Sequence, residues 1–277
     1  MITGRFAPSP TGPLHLGSLV AALGSWLFAR RANGRWLVRM EDLDTPRVVP
    51  GSAEEILETL RRYELQWDGE VVFQSQRTAL YEAALAVLRE KNMVYDCGCS
   101  RADLQRAASA PVDGEVLYPG TCRDGLPPGK VARAIRFRAP DDVIAFDDLL
   151  CGRIEAKSDD FIVRRADGVF AYQLAVVVDD AEQGVTQVVR GRDLLSSTPR
   201  QIALQHALGY ATPEYAHLPL VTNADGSKLG KRDGALPLPL LDDERIAATK
   251  EWAMKFIGGV DPSSALRAPS PAGRRPT

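Results

Sequence analysis

A chain of 277 residues, 45% hydrophobic and 25% charged, has the balance of an ordinary folded protein and the length of one large domain or two small ones. Its formal net charge of -2 argues against a general nucleic-acid binder and leaves only a local basic face for a transient RNA contact. The N-terminal MITGRFAPSP lacks the basic start and apolar core of a secretory signal, and no run of about eighteen apolar residues occurs. The expectation is a cytoplasmic monomer without a membrane partner.

In chain order, a short strand is predicted around 2–6, then a loop rich in Pro and Gly, then a helix over 17–31 ended by Asn33 and Gly34. A buried strand at 36–40 follows. Ser52 and Glu55 read as a capping box opening a helix with Ile56, Leu57, Leu60 and Tyr63 on one face. Residues 78–91 give another amphipathic helix through Tyr81, Ala84, Leu85 and Leu88, after which composition changes at a cysteine cluster. A boundary is therefore placed near Tyr95. From Ala134 to Phe170 the chain reads as short strands, with a turn at Ala166, Asp167 and Gly168, as in an inserted module. Leu174 to Val178 reads as a buried parallel strand, and Thr198 with Pro199 opens a helix that Gly209 ends.

The expected organisation is an α/β fold in four stretches. Residues 1–95 form the first half of a nucleotide-binding domain and 96–170 an insertion. Residues 171–240 form the second half, and 241–277 a short helical segment with a tail. The last ten residues, APSPAGRRPT, have the composition of disorder, and no internal repeat is found.

Residues 7–18, APSPTGPLHLGS, stand between a strand and a helix, where an α/β fold binds phosphates. The segment is neither GxGxxG nor a Walker loop. His15 and the amides near Gly17 and Ser18 would face the phosphates, and Gly17 would admit the nucleotide close to the helix. The bland alternative is that His15 caps the helix and the prolines shape a turn. A second segment, SKLGKR at 227–232, is a basic loop preceded by Asn223, Ala224, Asp225 and Gly226. Lys228 and Lys231 suit the negative charge that builds on phosphoryl oxygens and leaving pyrophosphate, although most basic loops are only solvated surface.

With these segments in order, the sequence resembles the class I aminoacyl-tRNA synthetases: HLGS at 15–18 matches their HIGH motif and KLGKR at 228–232 their KMSKS. The glutamyl group is indicated by RFAPSPTGPLHLG at 5–17, RMEDLDTPR at 39–47, VVDD at 177–180 and RGRDLLSSTPRQ at 190–201. The resemblance covers about residues 1–240. Two departures are Ser18 for the second histidine of HIGH and Gly230 for the serine of KMSKS. The resemblance implies a Rossmann-type parallel sheet split by a zinc-containing α+β module. It also implies attack of the glutamate α-carboxylate on the α-phosphorus of ATP, with Mg²⁺ on the phosphates.

A pocket for free glutamate needs an acid for the ammonium and an arginine for the side-chain carboxylate, because each ion loses water on entry. Arg5 and Glu41 follow the first two strands, at the ends where such a pocket belongs. The resemblance assigns Arg5, Phe6, Ala7, Pro8, Ser9, Glu41, Tyr172 and Arg190 to glutamate, with Arg5 and Arg190 on the side-chain carboxylate and Glu41 on the ammonium. It assigns Pro8, His15, Gly17, Ser18 and Lys231 to ATP, and catalytic roles to His15, Lys228 and Lys231. Taken singly, Arg5 and Glu41 could form a structural ion pair, and Tyr172 could fill the core of its strand.

The chain has four cysteines, and Cys97 with Cys99 is too tight a pair for a comfortable disulfide. Both can approach one Zn²⁺ with Cys122, leaving Tyr118, Cys151, a carboxylate or water as fourth ligand, the alternative being free buried thiols. The resemblance favours Tyr118, because glutamyl-type enzymes can show CxC followed by YxxxC. The site is then closed and structural, and Cys151 a core residue.

Full glutamyl-tRNA synthetases continue into a large helical anticodon-binding region, which the 43 residues after Gly234 in a chain of 277 are too few to supply. Length and motifs are similar to the glutamyl-queuosine tRNA(Asp) synthetase family, stand-alone catalytic domains that attach glutamate to the queuosine base in the anticodon loop of tRNA(Asp). The partners implied are ATP, L-glutamate and tRNA(Asp) containing queuosine. The alternatives are a minimal enzyme charging tRNA(Glu), a small-molecule adenylyltransferase, and a silent paralogue that binds glutamate or RNA.

Overall fold

The computed structural model describes residues 1–100, 102–104, 118–221, 238 and 242–258. Strand β1 (Thr3–Phe6) is buried at every position and leads through the 7–15 loop into α1 (Leu16–Arg31). Strand β2 (Arg35–Met40) then returns parallel to β1, in register from Thr3 opposite Arg35 to Phe6 opposite Val38. Helix α1 is apolar around most of its circumference because it is covered by the strands on one side and by α6 (Asp243–Gly258) on the other. Gly24 permits that approach, since a Cβ there would stand 2.5 Å from Leu218 Cδ1. Inside the same core Trp36 is fully buried, its indole N–H donated to Ser25 Oγ at 2.9 Å.

Helix α2 (Ser52–Arg62) precedes β3 (Val72–Phe73), which adds to β2 in parallel. The expected capping box is not formed. The N-cap is Gly51, with φ of +79°, and Ser52 Oγ accepts from Gly12 N and donates to Gly12 O, each at 3.0 Å. A glycine adopts the left-handed turn into the helix, which releases the serine to anchor the 7–15 loop.

Helix α3 (Thr78–Glu90) leads to β4 (Val94–Cys97), which joins β5 (Ala134–Phe137) and β8 (Phe161–Arg164) in an antiparallel sheet of order β4-β5-β8. Between them, β6 (Val143–Asp148) and β7 (Gly152–Lys157) form a hairpin that belongs to another sheet. Its order is β7-β6-β10-β9, with β9 (Gln187–Gly191) and β10 (Glu214–Leu218) running parallel. A hairpin from the 134–170 stretch therefore extends the second-half sheet.

Residues 174–178 are not a strand. They lie in α4 (Tyr172–Glu182), where every residue from Leu174 to Asp180 is buried. A short apolar β-branched run reads alike as a buried strand or a buried helix, and here tertiary context overrides the β propensity of three valines. The parallel strand of this half is β9, after which α5 (Thr198–Leu208) crosses over to β10 and ends at Gly209 in the left-handed region.

Strand β1 lies against β9: Thr186 N–H donates to Thr3 O at 2.9 Å and Thr3 N–H to Thr186 Oγ1 at 2.9 Å. The parallel strands thus run β3-β2-β1 and then β9-β10, with helical crossovers. Ligands of such folds bind beyond the strand C-termini where the order reverses, here between β1 and β9. Among the described residues no helix is long and apolar enough to cross a membrane. The basic loop at 227–232 and the last ten residues lie outside the described residues.

Candidate active site

At that reversal point opens a cavity of roughly 680 Å³, lined by the ends of β1, β2 and β9, the 7–15 loop and the start of α1. The structure brings Arg5, Phe6, Ala7, Pro8, Ser9, His15, Gly17, Ser18, Glu41, Tyr172 and Arg190 to its walls. Lys228, Lys231 and Gly230 lie outside the described residues.

His15 is the N-cap of α1, its Nδ1 accepting from Ser18 N at 3.2 Å. The capping alternative is thus realised, with the Ser18 amide engaged by the imidazole. A neutral imidazole that accepts at Nδ1 carries its proton on Nε2, which lies 3.3 Å from Ser18 Oγ. That N–H is the group His15 can offer a phosphate oxygen. Gly17 makes room for the ring, because a Cβ there would stand 3.1 Å from His15 Cε1.

Beneath the opposite wall lies a buried charge array that sequence reasoning did not assemble. Arg5 is not paired with Glu41; its Nε donates to Asp180 at 3.1 and 3.3 Å. Arg39, fully buried, pairs with Asp180 at 2.8 Å, donates to Gln183 Oε1 at 2.7 Å, and stands 3.7 Å from both Asp179 and Glu41. Asp179, equally buried, accepts from Gln74 at 2.8 Å, Arg77 at 2.6 Å and Tyr81 at 2.8 Å. Three arginines and two aspartates are thereby fixed, and Glu41 remains with Oε1 buried and without a hydrogen bond among the described residues. Burial pushes the Glu41 carboxyl up to about 7, against the pull of Arg39 and Arg5. A carboxylate so placed is ready for a cation that brings its own hydrogen-bond donors.

Across the cavity Arg190 is 4% exposed and densely held. Its Nε reaches His217 Nε2 at 3.1 Å, one terminal nitrogen Gln201 Oε1 at 2.9 Å, and the other Thr198 Oγ1 at 2.8 Å. The contacts to Tyr172 OH at 3.5 Å and Leu194 O at 3.4 Å are long. Tyr172 sits at the first position of α4, not on a strand. Arg39, Asp179, Asp180, Asp148 and His217 were not anticipated. Charges set inside apolar runs, as in RWLVRM and LAVVVDD, were the available signal, since each demands a partner.

Away from the cavity, the Sγ atoms of Cys97, Cys99 and Cys122 lie within 4.8 Å of one another. Cys99 and Cys122 are 3.6 Å apart, and Tyr118 OH is 3.7 Å from Cys97 Sγ and 3.9 Å from Cys99 Sγ. Tetrahedral zinc–thiolate bonds separate their sulfurs by about 3.8 Å, so the donor set fits such an ion. Cys151 is elsewhere, its thiol directed to His217 O at 3.6 Å. Arg136 donates to Cys97 Sγ at 3.3 Å and lies over the Tyr118 ring at 3.7 Å. Although burial raises the Cys97 thiol, the hydrogen bond from Arg136 and others hold it below the usual range.

Residues 1–244 match the family described as tRNA synthetases class I (E and Q), catalytic domain. The chain is 60% identical to the Glutamyl-Q tRNA(Asp) synthetase of Geobacter sulfurreducens, over 95% of this chain and 86% of that one. It is 56% identical to the protein of the same name from Thiobacillus denitrificans, over 97% and 89%. The solved structure of Glutamate-tRNA Synthetase from Elizabethkingia anophelis superposes with a TM-score of 0.74 at 33% identity, covering 84% of this chain. The present chain spans 53% of the length of that structure.

Proposed function

This chain belongs to the class I tRNA synthetases of the glutamyl and glutaminyl group, and on that premise we propose that it activates L-glutamate with ATP, independently of tRNA, and transfers it to the queuosine base of tRNA(Asp). The observation that carries the reading is the pairing of opposite charges across one cavity. Glu41 stands on one wall with a carboxylate oxygen that has no hydrogen bond among the described residues, and Arg5 and Arg190 line the same space. A free α-amino acid with an acidic side chain matches that pattern, ammonium to Glu41 and distal carboxylate to the arginines. The α-carboxylate is then left facing the 7–15 loop and His15.

In the first step a glutamate α-carboxylate oxygen attacks the α-phosphorus of ATP, forming glutamyl-adenylate as the bond to pyrophosphate breaks. His15 Nε2–H holds a phosphate oxygen, Pro8, Gly17 and Ser18 border the nucleotide, and Lys228 and Lys231 meet the charge on the leaving pyrophosphate. Mg²⁺, bound with ATP, would neutralise phosphate charge. In the second step a queuosine hydroxyl attacks the glutamyl carbonyl, loses its proton, and AMP departs. Phe6, Ala7, Ser9 and Tyr172 shape the amino-acid side of the pocket. Cys97, Cys99, Cys122 and Tyr118 would hold one structural Zn²⁺, tying β4 to the segment around 118–122.

The names of the relatives support tRNA(Asp) as acceptor. A second reading, charging of tRNA(Glu), is supported by the likeness to a glutamate-tRNA synthetase. The test is transfer of labelled glutamate, with ATP and Mg²⁺, to tRNA(Asp) carrying queuosine, the same tRNA without it, and tRNA(Glu). Label on the first alone is expected. Label on tRNA(Glu) replaces the proposal with the second reading, and glutamate-independent pyrophosphate exchange removes both.

A further inference from the structure

Three adjacent strands of the β7-β6-β10-β9 sheet carry a line of buried polar side chains that ends at the cavity. Asp148 closes β6, His217 lies on β10, and Arg190 lies on β9 in direct register with His217. Asp148 is bonded on all sides. Its Oδ1 accepts from Leu150 N at 3.0 Å, Cys151 N at 2.9 Å and His217 N at 3.2 Å, and its Oδ2 meets His217 Nδ1 at 2.6 Å. Burial alone would raise the Asp148 carboxyl, but these donors hold it down at about 2.

The tautomer of His217 follows from its neighbours. A carboxylate only accepts, so Nδ1 carries the proton; a guanidinium only donates, so Nε2 must present its lone pair to Arg190 Nε. Thr198 Oγ1, 3.2 Å from Nε2, itself accepts from an Arg190 terminal nitrogen. The imidazole therefore fixes the edge of the guanidinium away from the cavity, while Tyr215 lies 5.5 Å from its centre. Among the described residues, the long contacts of Arg190 are those to Tyr172 OH and Leu194 O, which a ligand carboxylate can replace.

We propose that Asp148 and His217 are positioning residues that orient Arg190 through a three-strand hydrogen-bond relay, setting the selectivity for an acidic over a neutral amino-acid side chain. The inference rests on the reading of the cavity as a glutamate site. It gives the 134–170 stretch a part in choosing the amino acid, since Asp148 comes from its hairpin.

The variants His217→Asn and His217→Gln separate this role from simple core filling. Asparagine keeps an amide N–H near the Nδ1 position for Asp148 but removes the acceptor facing Arg190; glutamine can restore a carbonyl near the Nε2 position. Glutamate-dependent exchange of pyrophosphate into ATP is measured for both, with glutamine as the neutral competitor and melting curves as the check on folding. In His217→Asn the KM for glutamate rises about tenfold or more, the preference for glutamate over glutamine falls by a similar factor, and the KM for ATP stays within about twofold. His217→Gln recovers much of the preference. Asp148→Asn moves the preference in the same direction. A folded His217→Asn enzyme with unchanged preference overturns the relay, as does an equal loss towards both amino acids in both His217 variants. Nitrogen NMR of the wild-type protein at neutral pH reads the relay without any turnover: Nδ1–H is expected, and Nε2–H overturns it. Wild-type enzyme that shows Nδ1–H yet never exchanges pyrophosphate with glutamate refutes the cavity assignment while leaving the hydrogen-bond relay in place.

Discussion

Replacing Glu41 by glutamine distinguishes a carboxylate kept for a ligand from one kept for structure. The Glu41 side chain is 10% exposed, and burial raises its carboxyl from the ordinary 4.5 to about 7. The empty folded enzyme thus holds this proton more tightly than the unfolded chain. The associated stability is complete below pH 4.5 and is lost as pH rises through 7. At pH 8 the loss is at most about 3 kcal/mol. Glu41→Gln, neutral and nearly isosteric, should therefore raise the Tm of the empty enzyme at pH 8 by a few degrees and flatten its pH dependence between about 5 and 8.

Affinity for glutamate should move the other way. An ammonium needs the ionised carboxylate, whose fraction in the empty enzyme falls from about nine-tenths at pH 8 to about one-tenth at pH 6, so the wild-type Kd rises roughly tenfold. In Glu41→Gln binding is weak and its pH slope is gone. Calorimetric titration with glutamate at several pH values, beside melting curves of the empty protein, reads both effects. A variant with lower Tm at pH 8 and unchanged glutamate affinity would refute the reasoning and make Glu41 the structural partner of Arg39.

Asp179→Asn should cost about 3 kcal/mol or more in denaturant unfolding, because Arg39 and Arg77 lose the charge that faces them in a buried site. Ser52→Ala removes both bonds to Gly12; about 1 kcal/mol of stability is lost, and the KM for ATP rises more than that for glutamate because the loosened loop borders the nucleotide. Elemental analysis of purified protein should give one zinc per chain, and Cys122→Ser should release it and lower the Tm, with a chelator reproducing the effect on the wild type.

Arg5, Glu41 and the 7–18 segment were legible because they close a strand, follow one or open a helix, and an α/β fold gathers such ends at one place; Arg5, expected just past its strand, lies within β1. The partners that hold them were not legible. Arg5 meets Asp180 across 175 residues, and His217 meets Asp148 across 69, distances over which local periodicity carries no information. The charged residues within RWLVRM and LAVVVDD showed that burial would demand compensation, without saying by what. The strand expected at 174–178 failed for a related reason: a short apolar run buried on every side has no periodicity to tell a helix from a strand, and the tertiary contacts that decide it lie elsewhere in the chain. At Ser52 the local capping role gave way to a bond with Gly12, 40 residues away, because Gly51 takes the N-cap.

The seam between β1 and β9 bears on how the protein is made. Thr3 leaves the ribosome well before its neighbour Thr186, which follows 183 residues behind, and the intervening β6–β7 hairpin has its own place beside β10, which comes later still. During synthesis β1 therefore waits with one edge open while the rest of its sheet is translated. Nascent chains arrested before residue 186 should present that edge, and with it the first half of the cavity, to chaperones or to one another.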